Sequence, residues 1–202
     1  MDGGGLRPTT LQLLLESTYT GNEVEGFTID KTISTNETRV YVSNTTPHVI
    51  VAHTGTYSKS DWGNNAVYAL AGYTGYQLTP RFNRAKKVQQ NAEKRYGAKN
   101  ISTIGHSQAG LLAQLLGKNT FEIITLNKAT RPQDFLHLNQ PSKQYDVRST
   151  GDVVSVFSNP FQKRNVVNIK KKSSNPISEH KPNVLSRLDK DAIIGNKNGL
   201  VS

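Results

Sequence analysis

Ile104-Gly105-His106-Ser107-Gln108-Ala109-Gly110 sets one serine among small residues where an apolar run gives way to an apolar, helix-forming one. Upstream, Asn100-Ile101-Ser102-Thr103-Ile104 reads as a buried strand. Downstream, Leu111-Leu112-Ala113-Gln114-Leu115-Leu116 reads as a helix ended by Gly117. A serine that presents its hydroxyl at a strand tip and starts a helix at once occupies a strained backbone conformation. Its neighbours two positions away collide unless their side chains are tiny. Gly105 and Ala109 meet that demand, and the stretch reads as a nucleophile elbow. Ala109 stands where the usual Gly-x-Ser-x-Gly pattern has its second glycine, adding one methyl, and Gly110 follows directly.

Outward from the elbow, strand-like and helix-like segments alternate. Candidate strands are Thr38–Val42, His48–Ala52, Asn100–Ile104, Phe121–Leu126, Tyr145–Ser149 and Asn165–Lys170. Candidate helices are Asp61–Ala71, Arg81–Tyr96, Ser107–Leu116 and Pro182–Leu188. Interleaving of this kind predicts an α/β protein with a mainly parallel central sheet covered by helices. The 202 residues suit one sizeable core and are too few for two domains of usual size, so residues 1–202 read as a single domain. Hydrophobic content of 35% and a mean hydropathy of −0.55 are low for a compact enzyme. The expectation is therefore a folded part over about 38–188, a core between Val40 and Ile169, and polar, loosely held ends.

Composition narrows the chemistry. Cysteine is absent, which excludes disulfides and thiolate metal sites, and the five histidines show no zinc spacing. A mechanism with neither metal nor cofactor is expected. Leu11 with Leu13-Leu14-Leu15 forms a run without a basic leader, too short for a signal peptide or a membrane span. A cytoplasmic or virion-associated location is thus expected over secretion. The net charge of +10 favours anionic partners. Its basic residues gather over Arg81–Arg95, at Lys163-Arg164 and at Lys170-Lys171-Lys172. On Arg81–Tyr96, Phe82, Ala85, Val88, Ala92 and Tyr96 recur at helical spacing and leave the lysines on the wet face. No aromatic-interleaved basic motif, zinc finger or P-loop accompanies the charge. Peripheral contact with an anionic membrane surface is accordingly expected over nucleic-acid binding.

A serine hydroxyl is a poor nucleophile and needs a base, a group to orient the base, and donors for an oxyanion. On α/β-hydrolase sheets the acid and then the histidine follow the serine at the ends of later strands. His48, His53 and His106 precede or belong to the serine segment, and His137 precedes the favoured acid, which leaves His180. Asp152, in Ser149-Thr150-Gly151-Asp152, lies just past a candidate strand and is the favoured acid. Asp134, in a Pro-, Asn- and Gln-containing loop, and Asp146, inside a strand, are its rivals. Oxyanion donors are expected from the N–H of Gln108 and from Thr56, in the loop His53–Trp62. There Gly55 permits an unusual turn, Asp61 can cap a helix and Trp62 can anchor it.

An apolar strand, Gly55-Thr56-x-Ser-x-x-Asp61-Trp62, then Gly105-His106-Ser107-x-x-Gly110 and Gly151-Asp152-Val153-Val154 together resemble the class 3 lipases, typified by fungal triacylglycerol lipases. The likeness spans about Val49 to His180. It implies a compact α/β-hydrolase fold, Ser107 as nucleophile, Asp152 as acid, His180 as base, Thr56 and Gln108 at the oxyanion hole, and a lipid or small ester as substrate. Family members usually follow the serine with Leu-Gly-Gly, where this chain has Gln108-Ala109-Gly110, and often carry arginine where it has Thr54. No amphipathic lid helix is evident, and Tyr57, Tyr73 and Tyr76 read equally as flanks of an acyl pocket or as scattered aromatics of structural loops. The reading that competes with an esterase is a catalytically silent lipase-like domain serving as a binding or virion-assembly module.

Overall fold

The computed structural model describes residues 4–55, 80–129, 140–152 and 165–196. Within these, seven strands form one sheet in sequence order: β1 (Phe27–Ile29), β2 (Thr38–Ser43), β3 (Val49–His53), β4 (Ile101–His106), β5 (Glu122–Leu126), β6 (Gln144–Ser149) and β7 (Val166–Ile169). The first three strands pair antiparallel, and β3 through β7 run parallel. The helices are α1 (Pro8–Thr20), α2 (Pro80–Tyr96), α3 (Gln108–Leu116) and the short α4 (Pro176–His180), with a 3₁₀ stretch at Pro182–Arg187. This is a mixed α/β architecture with a mostly parallel sheet. The candidate helix Asp61–Ala71 lies outside the described residues.

Strand alternation sorts the sheet into two covered faces. Val40, Val49, Val51 and Ile101 pack with Val88 and Ala92 of α2. Tyr41, Ile50, Ala52, Ile104, Ile124 and Leu126 pack with Leu11, Leu14 and Leu15 of α1 and with Val184 and Leu185. On α2, Ala85, Val88 and Ala92 are buried, as their helical spacing predicts, while Lys86, Lys87 and Lys94 are exposed. No helix among the described residues is long and apolar enough to cross a membrane.

Two expectations need correction. The core is not confined to Val40–Ile169, because α1 contributes three fully buried leucines and Leu6 and Ile194 join the same cluster. The described parts of the chain ends are held rather than loose. Leu6 and Ile194 form a two-bond bridge of 2.7 and 2.9 Å. Buried Glu122 accepts from Gly5 N at 2.9 Å, from Asn196 N at 2.6 Å and from Ser102 Oγ at 2.6 Å. An average hydropathy cannot register one carboxylate that gathers three donors.

Candidate functional site

Ser107 and Asp152 follow the carboxyl ends of the parallel strands β4 and β6, and His180 lies beyond the end of β7. Ser107 follows β4 directly and adopts φ 59°, ψ −129°, a left-handed conformation for a residue with a side chain. The surrounding framework imposes it: Ser107 N donates to Leu126 O at 3.0 Å, and Ser107 O accepts from Gly110 N at 3.0 Å and Ala129 N at 3.1 Å. A Cβ on Gly105 would overlap the Ala109 carbonyl and stand 2.8 Å from Gly110 N. The small residue there is therefore a requirement of the turn. Gly105→Ala is expected to cost about 1–3 kcal/mol, read as a lower denaturant midpoint; an unchanged midpoint would show that the turn can open without penalty.

His180, the last residue of α4, faces Ser107, with Nε2 2.8 Å from Ser107 Oγ. Its Nδ1 lies 2.8 Å from Asp152 Oδ1. An ionised carboxylate can only accept, so Nδ1 carries the proton and Nε2 is free to accept from the serine hydroxyl. Asp152 and His180 are buried, whereas Ser107 is partly exposed. The candidate helix of this region begins only at Pro182, which puts His180 in the loop before it. His180 instead closes a single helical turn that starts at Pro176 and is capped by Asn175 Oδ1, which accepts from Ile177 N at 2.9 Å.

The rival acid Asp146 is committed elsewhere. It pairs with buried Lys128 at 3.4 Å and accepts from Thr125 Oγ1 at 2.5 Å and Gln144 Nε2 at 2.7 Å. Burial lowers the Lys128 pKa, and Asp146 partly offsets this. His48 and His53 are likewise structural. His48 Nε2 meets Ser102 Oγ at 2.7 Å and His53 Nδ1 meets Thr38 Oγ1 at 3.0 Å, and burial pushes their pKa values down to about 4 and about 3. Gln108 opens α3 immediately after the serine. Thr56, Asp61, Trp62, Asp134 and His137 lie outside the described residues, as do Lys163 and Arg164.

Three supporting residues were not singled out from the sequence. Asn127, at φ 46°, accepts from Ser149 N at 2.8 Å and donates from Nδ2 to the carbonyls of Glu179 at 2.9 Å and His180 at 3.0 Å. It thereby fastens the backbone of the histidine to the strand end that leads to Asp152. Glu179 accepts from Lys172 N at 3.1 Å, Ser173 N at 2.8 Å, Arg187 Nη1 at 2.6 Å and the Ser149 hydroxyl. The Arg187 bond, with these others, holds its pKa down at about 2 against the opposing effect of burial.

Tyr19 is the third. His106 Nε2 lies 2.6 Å from the His180 carbonyl, which only accepts, so Nε2 bears the proton. His106 Nδ1 then accepts from the Tyr19 hydroxyl at 3.1 Å, and the Tyr19 oxygen accepts from Gly55 N at 3.1 Å. Burial pushes the His106 pKa down to about 3 and the Tyr19 pKa up to about 12, so both are neutral, as this directed chain requires. Arg81 holds the other side of the same loop through the carbonyls of Thr54 and Gly55, the latter at 2.9 Å. In sequence Tyr19 sits almost ninety residues from the elbow, and only the packing of α1 brings it there.

No family model matches the chain, and no curated protein matches it at significant similarity.

Proposed function

We propose that this chain is a compact α/β-hydrolase resembling the class 3 lipases, one that cleaves carboxylic esters of lipids through an acyl-Ser107 intermediate. The observation that carries the reading is the directed pair of 2.8 Å contacts from Ser107 through His180 to Asp152, built on a serine at φ 59°. His180 Nε2 takes the Ser107 proton as Oγ attacks the ester carbonyl, and Asp152 stabilises the imidazolium that forms. The backbone N–H of Gln108 and a donor from Thr56 stabilise the oxyanion. His180 then gives its proton to the leaving alcohol. In the second half it removes a proton from water, the hydroxide attacks the acyl carbon, and Ser107 is released with its proton restored.

An alkyl fluorophosphonate tests the reading directly. It should label Ser107 covalently, with loss of fluoride, and p-nitrophenyl esters should be hydrolysed by the same protein. Absence of both would favour a silent domain that uses the fold for binding.

Within this reading Tyr19 positions the loop that precedes Thr56. Tyr19→Phe removes the acceptor for Gly55 N and the donor to His106, and the loss of one such buried bond is worth about 1–1.5 kcal/mol. The expected result is a kcat reduced about tenfold with KM nearly unchanged, because the oxyanion donor is misplaced only where charge develops. A KM effect alone would instead give Tyr19 a place in substrate binding.

A further inference from the structure

A surface beside the candidate triad combines positive charge with an exposed apolar side chain. Lys170, Lys171 and Lys172 leave the end of β7 exposed, and Lys181, also exposed, follows His180. Between them in sequence, Pro176 and Ile177 stand out on α4. Ile177 is 40% exposed and is one of two large hydrophobic side chains so exposed among the described residues.

This surface is fixed to the catalytic groups. Lys171 N donates to Thr150 Oγ1 at 3.1 Å, and a Cβ on Gly151, next to Asp152, would stand 2.8 Å from Lys171 Cβ. The Glu179 carboxylate takes the N–H groups of Lys172 and Ser173 and is the residue before His180. The lysine loop, the exposed apolar turn, the acid and the base thus form one hydrogen-bonded unit.

Its charge is also less compensated than that of the other basic region. On α2, Arg84 pairs with Glu37 at 2.8 Å and Arg95 with Asp30 at 2.6 Å. The carboxylates built into the structure beside the lysine loop are both buried and engaged, Glu179 with Arg187 at 2.6 Å and Asp152 with His180 at 2.8 Å. The described ion pairs do not engage Lys170, Lys171, Lys172 or Lys181.

We infer that Lys170, Lys171, Lys172 and Lys181, with Ile177 among them, form a docking surface for a lipid leaflet bearing anionic headgroups, which presents the Ser107 site to that surface. Lysines near a charged leaflet gain electrostatic attraction, and a protruding isoleucine gains by leaving water for the acyl boundary. Nucleic acid would satisfy the lysines but give Ile177 nothing apolar to enter. What the docking accomplishes rests on the ester-hydrolase reading; whether it occurs does not.

The test therefore uses the Ser107→Ala chain, so that binding is measured without turnover. Co-sedimentation compares phosphatidylcholine vesicles with vesicles holding one phosphatidylserine for every two phosphatidylcholines. Binding should require phosphatidylserine and weaken with salt as the Debye length shortens below about 8–10 Å. Lys170→Gln, Lys171→Gln and Lys172→Gln together should reduce partitioning on the order of 100-fold, and Ile177→Ser about tenfold. Lys86→Gln, Lys87→Gln and Lys94→Gln together remove the same charge from α2 and should change it less than about threefold. Equal loss in the two triple variants would overturn the proposal in favour of net charge. Equal binding to both vesicle types, or binding to a short DNA duplex that anionic vesicles do not displace, would overturn it as well. The exposed side chains replaced make no described hydrogen bonds, and Ile177→Ser with the salt titration tests the surface even if a triple variant fails to fold.

Discussion

Ser107→Ala is expected to lower ester hydrolysis by a factor on the order of 10⁴–10⁶ while leaving the fold intact. The serine hydroxyl is the only part of residue 107 that the proposed reaction uses; its backbone bonds to Leu126, Gly110 and Ala129 do not depend on the side chain. The left-handed backbone provides a second check. At φ 59° and ψ −129° any side chain is strained by about 1–3 kcal/mol, and glycine is not. Ser107→Gly should therefore be as inactive as Ser107→Ala yet unfold at a higher denaturant concentration. A variant series in which activity survives the loss of the hydroxyl would remove the serine from the chemistry. Equal stability of the alanine and glycine variants would remove the strain from the account of the elbow.

The parts of this protein that were legible in the sequence are those where one local rule decides. The β4–α3 junction could be read because strand, turn and helix are contiguous, and Gly105 marks a steric exclusion that the fold reproduces. Asp152 and His180 could be read because chain order on a parallel sheet restricts where an acid and a base can stand. The sequence carries a signal for α1 that the shortness of the leucine run as a leader or span hides: Leu11, Leu14, Leu15 and Thr18 recur at i, i+3, i+4 and i+7, and all four are buried. Strand β1 was missed because three residues carry too little periodicity to register. The contributions of Tyr19, Asn127 and Glu179 could not be read, since each depends on hydrogen bonds between segments remote in sequence. Asn127 has a local hint, in that asparagine tolerates the left-handed backbone it adopts. Glu179 has none beyond its place next to His180.

Asp152→Asn and His180→Ala should each reduce turnover by about 10⁴, and the two losses have different physical origins. His180→Ala removes the proton acceptor, so the serine must be ionised by solvent. Asp152→Asn keeps the shape of the site but replaces an acceptor by an amide. If the amide turns its NH₂ toward His180, Nδ1 must accept, the ring proton moves to Nε2, and the atom 2.8 Å from Ser107 Oγ can no longer take the serine proton. The amide oxygen could restore the tautomer, yet it carries no charge with which to stabilise the imidazolium. Asp134→Asn and His137→Ala, which fall in a Pro-, Asn- and Gln-containing loop of the sequence rather than just past a candidate strand, should change turnover little. Both arms are read as kcat on a soluble p-nitrophenyl ester, with the unfolding midpoint as the control for global damage. If the losses instead fall on Asp134 and His137, ester hydrolysis stands but the triad is wrongly mapped. If Asp152→Asn is harmless while His180→Ala is not, the reaction runs on a Ser107–His180 pair whose histidine is held in place through its backbone carbonyl. Asn127 and His106 both hold that carbonyl.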